Sequence, residues 1–419
     1  MNLLSLTFSV LSICTPNSPR VSSREMIVHV RQQQPAAIAS TLKREHPRCS
    51  LVGGSQFYEA RVRDDQQSSN WQRISTDLNC LALVYVTQGR FDDAIQEFQR
   101  VLQPNALGVP PSPVESATAY QMLGEIWQVK GNFPEAEAAY ERGIAVAQRA
   151  FGVQDIDTAT VMNSLGWLYS IWGRPADAFK TLDRAWTIAD RVLPANSPDR
   201  LVFLDSQAAS FSSNNRYTEA EKCWLEALRI ARTAYGDDSH RYLSILIHLG
   251  EMYSSLGDYE SAERYLRQSL DTSAKPGIEP VVTRAVVVSE LGSVYTRWKK
   301  YDQAKTLVSN STRLVENNSS APLGNALIFG YAGDYYMSQH DWPNAASSYQ
   351  RALAFREKTL GDHPLVASSL LSLSQALRKL HRKKEAKQCF ARASQILAIR
   401  TARLTASDTI DVRAFRQKQ

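Results

Sequence analysis

Leu249-Gly-Glu-Met-Tyr-Ser-Ser-Leu-Gly-Asp-Tyr-Glu-Ser-Ala-Glu-Arg-Tyr-Leu-Arg-Gln-Ser-Leu270 decides the reading of the whole chain, because most of the chain is built from copies of it. Leu249, Met252, Tyr253 and Leu256 are spaced by three, one and three residues, which puts them on one face of a helix. Gly257-Asp258 interrupts that pattern as a turn does. Ala262, Tyr265, Leu266 and Leu270 then make a second apolar face. Two amphipathic helices joined by a tight turn leave apolar surface that only further copies can cover.

The copies are in register on one alanine: Ala94, Ala136, Ala178, Ala220, Ala262, Ala304, Ala345 and Ala386, with steps of 42 residues five times and 41 twice. Twelve residues before it lies a second small position, occupied by Ala82, Gly124, Gly166, Ala208, Gly250, Gly292, Gly333 and Ser374. Glycine inside a helix costs about 1 kcal/mol against alanine, so its recurrence there predicts a close approach of helices. Three residues further on is a large side chain, aromatic in seven of the eight copies, from Tyr85 and Trp127 to Tyr336, with Leu377 as the exception. Proline and glycine punctuate the ends of the units at Pro104, Gly152, Pro194, Gly236, Pro276, Pro322 and Gly361. The expected fold is all-α: a right-handed superhelical solenoid of eight helix-turn-helix units.

Leu-Gly, an aromatic three residues on, Gly-x-Tyr/Phe and then Ala resembles the tetratricopeptide repeat, whose usual unit is about 34 residues. The longer unit here is similar to the kinesin light chain type. Ala352-Leu-Ala-Phe-Arg-Glu-Lys-Thr-Leu-Gly-Asp-His-Pro-Leu-Val-Ala367 carries that likeness most closely. The resemblance covers residues 71–403 and implies a scaffold that binds a protein or peptide. It does not imply which one.

Charge is distributed unevenly over the 419 residues. Residues 1–70 hold eight Lys/Arg against five Asp/Glu, and 378–419 hold twelve against three. The body between them carries 28 against 34, a net −6 inside a chain whose total is +6. A solenoid that binds nucleic acid would be basic along its groove, so nucleic acid is not an expected partner. No run approaches a membrane span. Cys14, Cys49, Cys80, Cys223 and Cys389 show no CxxC spacing, and the last three, inside helices, read as small buried hydrophobes. Leu3 to Ile13 is apolar, but no Lys or Arg precedes it and no A-x-A site follows. A cytoplasmic chain is therefore expected, with export through a weak N-terminal signal as the alternative. Residues 1–70 read as disordered or weakly ordered, with a short capping helix near Phe57 to Val62 as the alternative. Residues 404–419 read as a basic tail, and the eighth unit as a polar cap.

Sequences for HExxH, GxxxxGK[ST] and GxSxG are absent, and no cofactor or metal is implied. The groove supplies the candidate site. Three residues before each small position stand Asn79, Gln121, Asn163 and Asp205, followed by Ile247, Ser289, Gly330 and Leu371. An amide both donates and accepts, which suits an extended peptide backbone. In kinesin light chains an Asn at this place contacts bound peptide, and the resemblance carries that role to Asn79 and Asn163, with Gln121 close and Asp205 departing. Glu125, Trp167, Glu251 and Asp334 are expected as their groove neighbours, with His248 near the groove, although His248 also reads as a surface histidine. The acid along this face favours a partner bearing Lys or Arg. The function expected is a non-enzymatic interaction scaffold. The alternatives are a regulatory module that controls a partner enzyme or receptor, and a helical-repeat enzyme.

Overall fold

Seven residues after the small position the backbone has to reverse, and in seven of the eight copies the described residue there is left-handed. Gly89, Gly131 and Gly257 take φ of 74°, 72° and 88°, while Asn215, Lys299, His340 and His381 take 59–62°. That conformation costs a residue with a Cβ roughly 1–2 kcal/mol, so four turns accept strain that glycine avoids. The next residue closes the turn. In all eight copies its N–H donates to the carbonyl of the signature large residue, from Arg90 on Tyr85 at 2.9 Å to Arg382 on Leu377 at 2.9 Å. In several copies a cation there also lies over the aromatic ring, as with Arg90 over Tyr85 and Arg174 over Tyr169. The same arginines bond the first turn of the following helix through Asp93 and Asp177.

This computed structural model describes residues 54–67, 71–103, 111–172, 174–273, 281–316, 322–361 and 363–408. Among them are seventeen helices and no strand. A leading helix, α1 (Gly54–Gln67), is followed by eight pairs. These are α2 (Trp71–Thr87) with α3 (Phe91–Val101), α4 (Pro113–Val129) with α5 (Phe133–Ala150), and α6 (Ile156–Trp172) with α7 (Pro175–Val192). Then come α8 (Arg200–Ser213) with α9 (Tyr217–Tyr235), α10 (His240–Leu256) with α11 (Tyr259–Ser273), and α12 (Val281–Arg297) with α13 (Tyr301–Val315). The last are α14 (Pro322–Ser338) with α15 (Trp342–Leu360), and α16 (Pro364–Lys379) with α17 (Lys383–Asp408).

Each pair is locked at the small position. All eight register alanines are buried. A large residue four positions after the alanine lies on the small residue of the first helix. A Cβ built on Gly124 would stand 2.6 Å from the Tyr140 ring, on Gly166 2.7 Å from Leu182, and on Gly333 2.4 Å from Tyr349. The first helices are buried on almost every side, as α4, α6 and α10 show, whereas second helices such as α7 and α9 bury one stripe. The first helices therefore form an inner layer and the second helices an outer one. The outer layer is tied to the next unit by a recurring phenol–carboxylate bond, Tyr169 to Glu137 at 2.7 Å and Tyr295 to Glu263 at 2.6 Å. Tyr253 bonds Glu221 in the same way.

The superhelix also meets itself. His363, at the start of α16, packs edge-on against Phe133 with ring centroids 5.8 Å apart, and Gly131 of the second turn faces the same imidazole. The eighth unit thus touches the second, so the inner layer runs through about one superhelical turn.

Several expectations change at the ends. Residues 54–67 form a helix, in line with the capping-helix alternative near Phe57 to Val62 rather than with disorder; Tyr58 and Val62 bury against α2 and Arg61 bonds Asp77 at 3.0 Å. Helix α17 continues to Asp408, into the segment read as a tail. Cys80 is disulfide-bonded rather than a lone hydrophobe, while Cys223 and Cys389 are free. In the last pair Phe390 stands four residues after its alanine, as Tyr140 and Tyr349 do, yet it is 57% exposed. The remainder of 1–70 and residues 409–419 lie outside the described residues.

Candidate functional site

The four polar residues expected to line an open groove are instead buried between consecutive first helices. Asn79, Gln121, Asn163 and Asp205 are 0%, 4%, 6% and 3% exposed. Asn79 Nδ2 donates to the Glu115 carbonyl of the next unit at 3.4 Å, and Asn163 Nδ2 donates to Ser206 Oγ at 3.1 Å. Gln121 Nε2 donates to Glu125 Oε1 at 3.3 Å, one helical turn on. Asp205 joins three helices: its Oδ1 accepts from Trp224 Nε1 at 2.9 Å and lies 2.8 Å from His248 Nδ1. The physical reason is the winding. First helices approach so closely that side chains at this register meet the neighbouring helix before they meet solvent.

The other candidates divide by position. His248 is a buried partner of Asp205, not a surface histidine. Trp167 packs in the central apolar core with Leu168, Trp172 and Leu204. Glu125 and Glu251, one residue after Gly124 and Gly250, are half-buried, and so is Asp334 at the same register. Asp334 Oδ1 accepts from Tyr349 Oη at 2.6 Å, which holds that ring on Gly333. The structure thus brings Asp205 and His248 together and separates Trp167 from the inner surface. It leaves an acid of the inner layer half-buried in the second, fifth and seventh units.

One residue of this layer escaped the sequence reading. Glu290 of α12 is buried, and its carboxyl faces Glu251 of α10. Burial, and then the Glu251 charge, push Glu290 well above the usual carboxylate range. The available signal was a charged residue inside the apolar run Val286-Val-Val-Ser-Glu-Leu291, at a register where other units bury theirs. Among the described residues no group of three or more His, Cys, Asp or Glu is arranged to hold a metal ion.

The tetratricopeptide repeat family model matches residues 115–191, 203–275 and 324–398, together more than half of the chain. No curated protein matches it. Among solved structures, a Rap protein complexed with Competence and Sporulation Factor is 14% identical, with 88% of this chain and 99% of that one covered, at a TM-score of 0.56. The quorum sensor NprR from B. thuringiensis, in its apo form, is 13% identical over 86% of this chain and 99% of that one, at 0.54. Repeats of a Podosopora anserina protein named as a kinesin light chain are 18% identical over 47% of this chain and 93% of that one, at 0.43. At these identities the likeness is one of fold.

Proposed function

The chain belongs to the tetratricopeptide repeat family, and from that premise we propose that it is a non-enzymatic scaffold whose inner face holds an extended segment of a partner protein. The observation that carries this reading is the inner layer itself. First helices stack unit upon unit, and half-buried Glu125, Glu251 and Asp334 recur at one register along them. A repeating face of fixed spacing suits an extended chain, which presents its own side chains at a regular interval. Asn79, Gln121, Asn163 and Asp205 act behind that face in this reading, fixing the angle between successive helices. With a body at net −6, the favoured segment carries Lys or Arg. Among the described residues no helix is long and apolar enough to cross a membrane.

Display of random peptides on the full-length protein tests this. Enriched peptides should lose affinity about tenfold or more against Glu125→Gln with Asp334→Asn, since a hydrogen bond to a charged group contributes roughly 1.5–3 kcal/mol. Asn310→Ala, exposed on α13, should leave affinity unchanged. Peptides that bind the double variant as tightly as the parent would show that the inner acids are not the site.

A further inference from the structure

The last pair of the array leaves open two positions that the other seven pairs bury. Four residues after the register alanine, the side chains from Phe98 to Tyr349 are 0–4% exposed in the first seven pairs, and Phe390 of α17 is 57% exposed. Three residues before the small position, the residues from Asn79 to Gly330 are buried in those same pairs, and Leu371 of α16 is half-buried. In the first seven pairs a further helix stands alongside: each second helix from α3 to α15 packs against the first helix that comes after it. At the position of Leu371, Asn163 reaches Ser206 and Asp205 reaches His248, both on the next first helix. Among the described residues no helix follows α17.

The open side of α17 carries charge of one sign. Lys383, Lys387 and Phe390 are spaced by four and three residues, so they share one side of the helix. Lys383, Lys384 and Lys387 are exposed, and Glu385, the acid among them, is paired with Arg382 at 2.6 Å. The place of Lys387 is informative. It is the residue after the alanine, where Glu137, Glu221 and Glu263 each accept the phenol of the next unit's tyrosine. An ammonium only donates, so a group arriving opposite Lys387 must accept, and a carboxylate accepts most strongly.

We propose that the open end formed by α16 and α17 docks an acidic amphipathic helix of a partner protein, laid where a further first helix would stand. Its apolar stripe covers Leu371 and Phe390, and its carboxylates answer Lys383 and Lys387. The occupant is a helix because seven joints of this chain already place one against the same two positions. The site lies at the end of the array and not on its inner face, so it stands whether or not the inner face holds a segment.

The probe is a synthetic peptide of residues 113–129, the first helix α4, carrying Trp127→Glu at the signature position that meets the residue after the alanine. Fluorescein-labelled, it is titrated with the full-length protein at fixed ionic strength and followed by anisotropy. It should bind saturably, and the same peptide with Trp127→Lys should bind at least about tenfold more weakly, the factor expected of a charge-assisted contact. Lys387→Glu should reverse that preference, and Phe390→Asp should weaken both peptides. Lys180→Glu, exposed on α7, should change neither. Both end variants replace exposed residues, and a thermal melt confirms that they are folded. Absence of saturable binding, or a preference that Lys387→Glu leaves unchanged, overturns the proposal. So does loss of probe binding in Glu125→Gln with Asp334→Asn, which would put the probe on the inner face instead. Three further results would name another occupant and also overturn it. These are binding gained only when residues 409–419 are deleted, a concentration-dependent dimer abolished by Phe390→Asp, and pelleting with phosphatidylserine vesicles abolished by the same change.

Discussion

A single hydrogen bond separates two glycines that are equivalent in sequence. Gly333 and Gly250 both receive a side chain from the second helix of their pair, at 2.4 Å from a built Cβ for Tyr349 and 2.7 Å for Leu266. Leu266 is held there by packing alone. Tyr349 is pinned to Asp334 by its hydroxyl, so its ring can withdraw only by breaking a 2.6 Å bond. Gly292 has more room, with Leu307 Cβ at 3.3 Å. Gly333→Ala should therefore destabilise most, by roughly 1–3 kcal/mol as overpacked cores do. Gly250→Ala should cost less, and Gly292→Ala should stay within about 1 kcal/mol of the parent, because alanine's helix propensity offsets the crowding. Urea denaturation midpoints of the three variants would show it, and the opposite order would refute the pinned ring. Glycine at this register was legible in the sequence as close approach. Which glycine tolerates a methyl was not, because the answer lies in a bond from another helix.

At the scale of the element, α8 stands apart from the other first helices. Where the neighbouring units bury Leu165 with Leu168 and Leu249 with Met252, this one buries Gln207 with Ser210, each 2% exposed. Neither Gln207 Oε1 nor Ser210 Oγ has a hydrogen-bond partner. A buried polar group left unpaired costs about 1–3 kcal/mol, so these two side chains weaken the packing of α8. Restoring the pattern with Gln207→Leu and Ser210→Val should raise the melting temperature measurably, with a stabilisation of about 1–3 kcal/mol. A lower melting temperature would mean that these side chains are satisfied by a bound water or ligand. The sequence displays the substitution plainly, since two polar residues replace apolar ones in an otherwise periodic series. It does not display the missing partners.

For the whole molecule the contact of the eighth unit with the second matters most. A Cβ on Gly131 would lie 4.0 Å from His363 Cβ, inside the span of about 3.5–4.5 Å that a disulfide bridges. Gly131→Cys with His363→Cys should form an intramolecular disulfide under mild oxidation, visible as faster migration without reductant. Some strain is expected at position 131, where φ is 72°. Cysteines that remain reduced in a folded, monomeric variant would show that the superhelix is open in solution. If the bridge forms and peptide capture survives, the segment enters along the axis of the superhelix rather than between its turns.

The number of units, the helix pairs, the turn between them and the alanine that seals each pair were all present in the linear pattern, because each depends on contacts within about forty residues that the chain repeats eight times. Turn chemistry and helical periodicity are local, and a local signal repeated eight times is hard to misread. The winding is different. It is the sum of small rotations at seven joints, and no motif encodes a sum. Only the tertiary structure could decide that Asn79 and Asn163 face the next helix instead of a groove, that Trp167 belongs to the core, and that His248 finds Asp205. The meeting of Glu251 with Glu290, and of Phe133 with His363, depends on the same accumulated angle. Side chains 39 and 230 residues apart become neighbours only when every joint between them has closed.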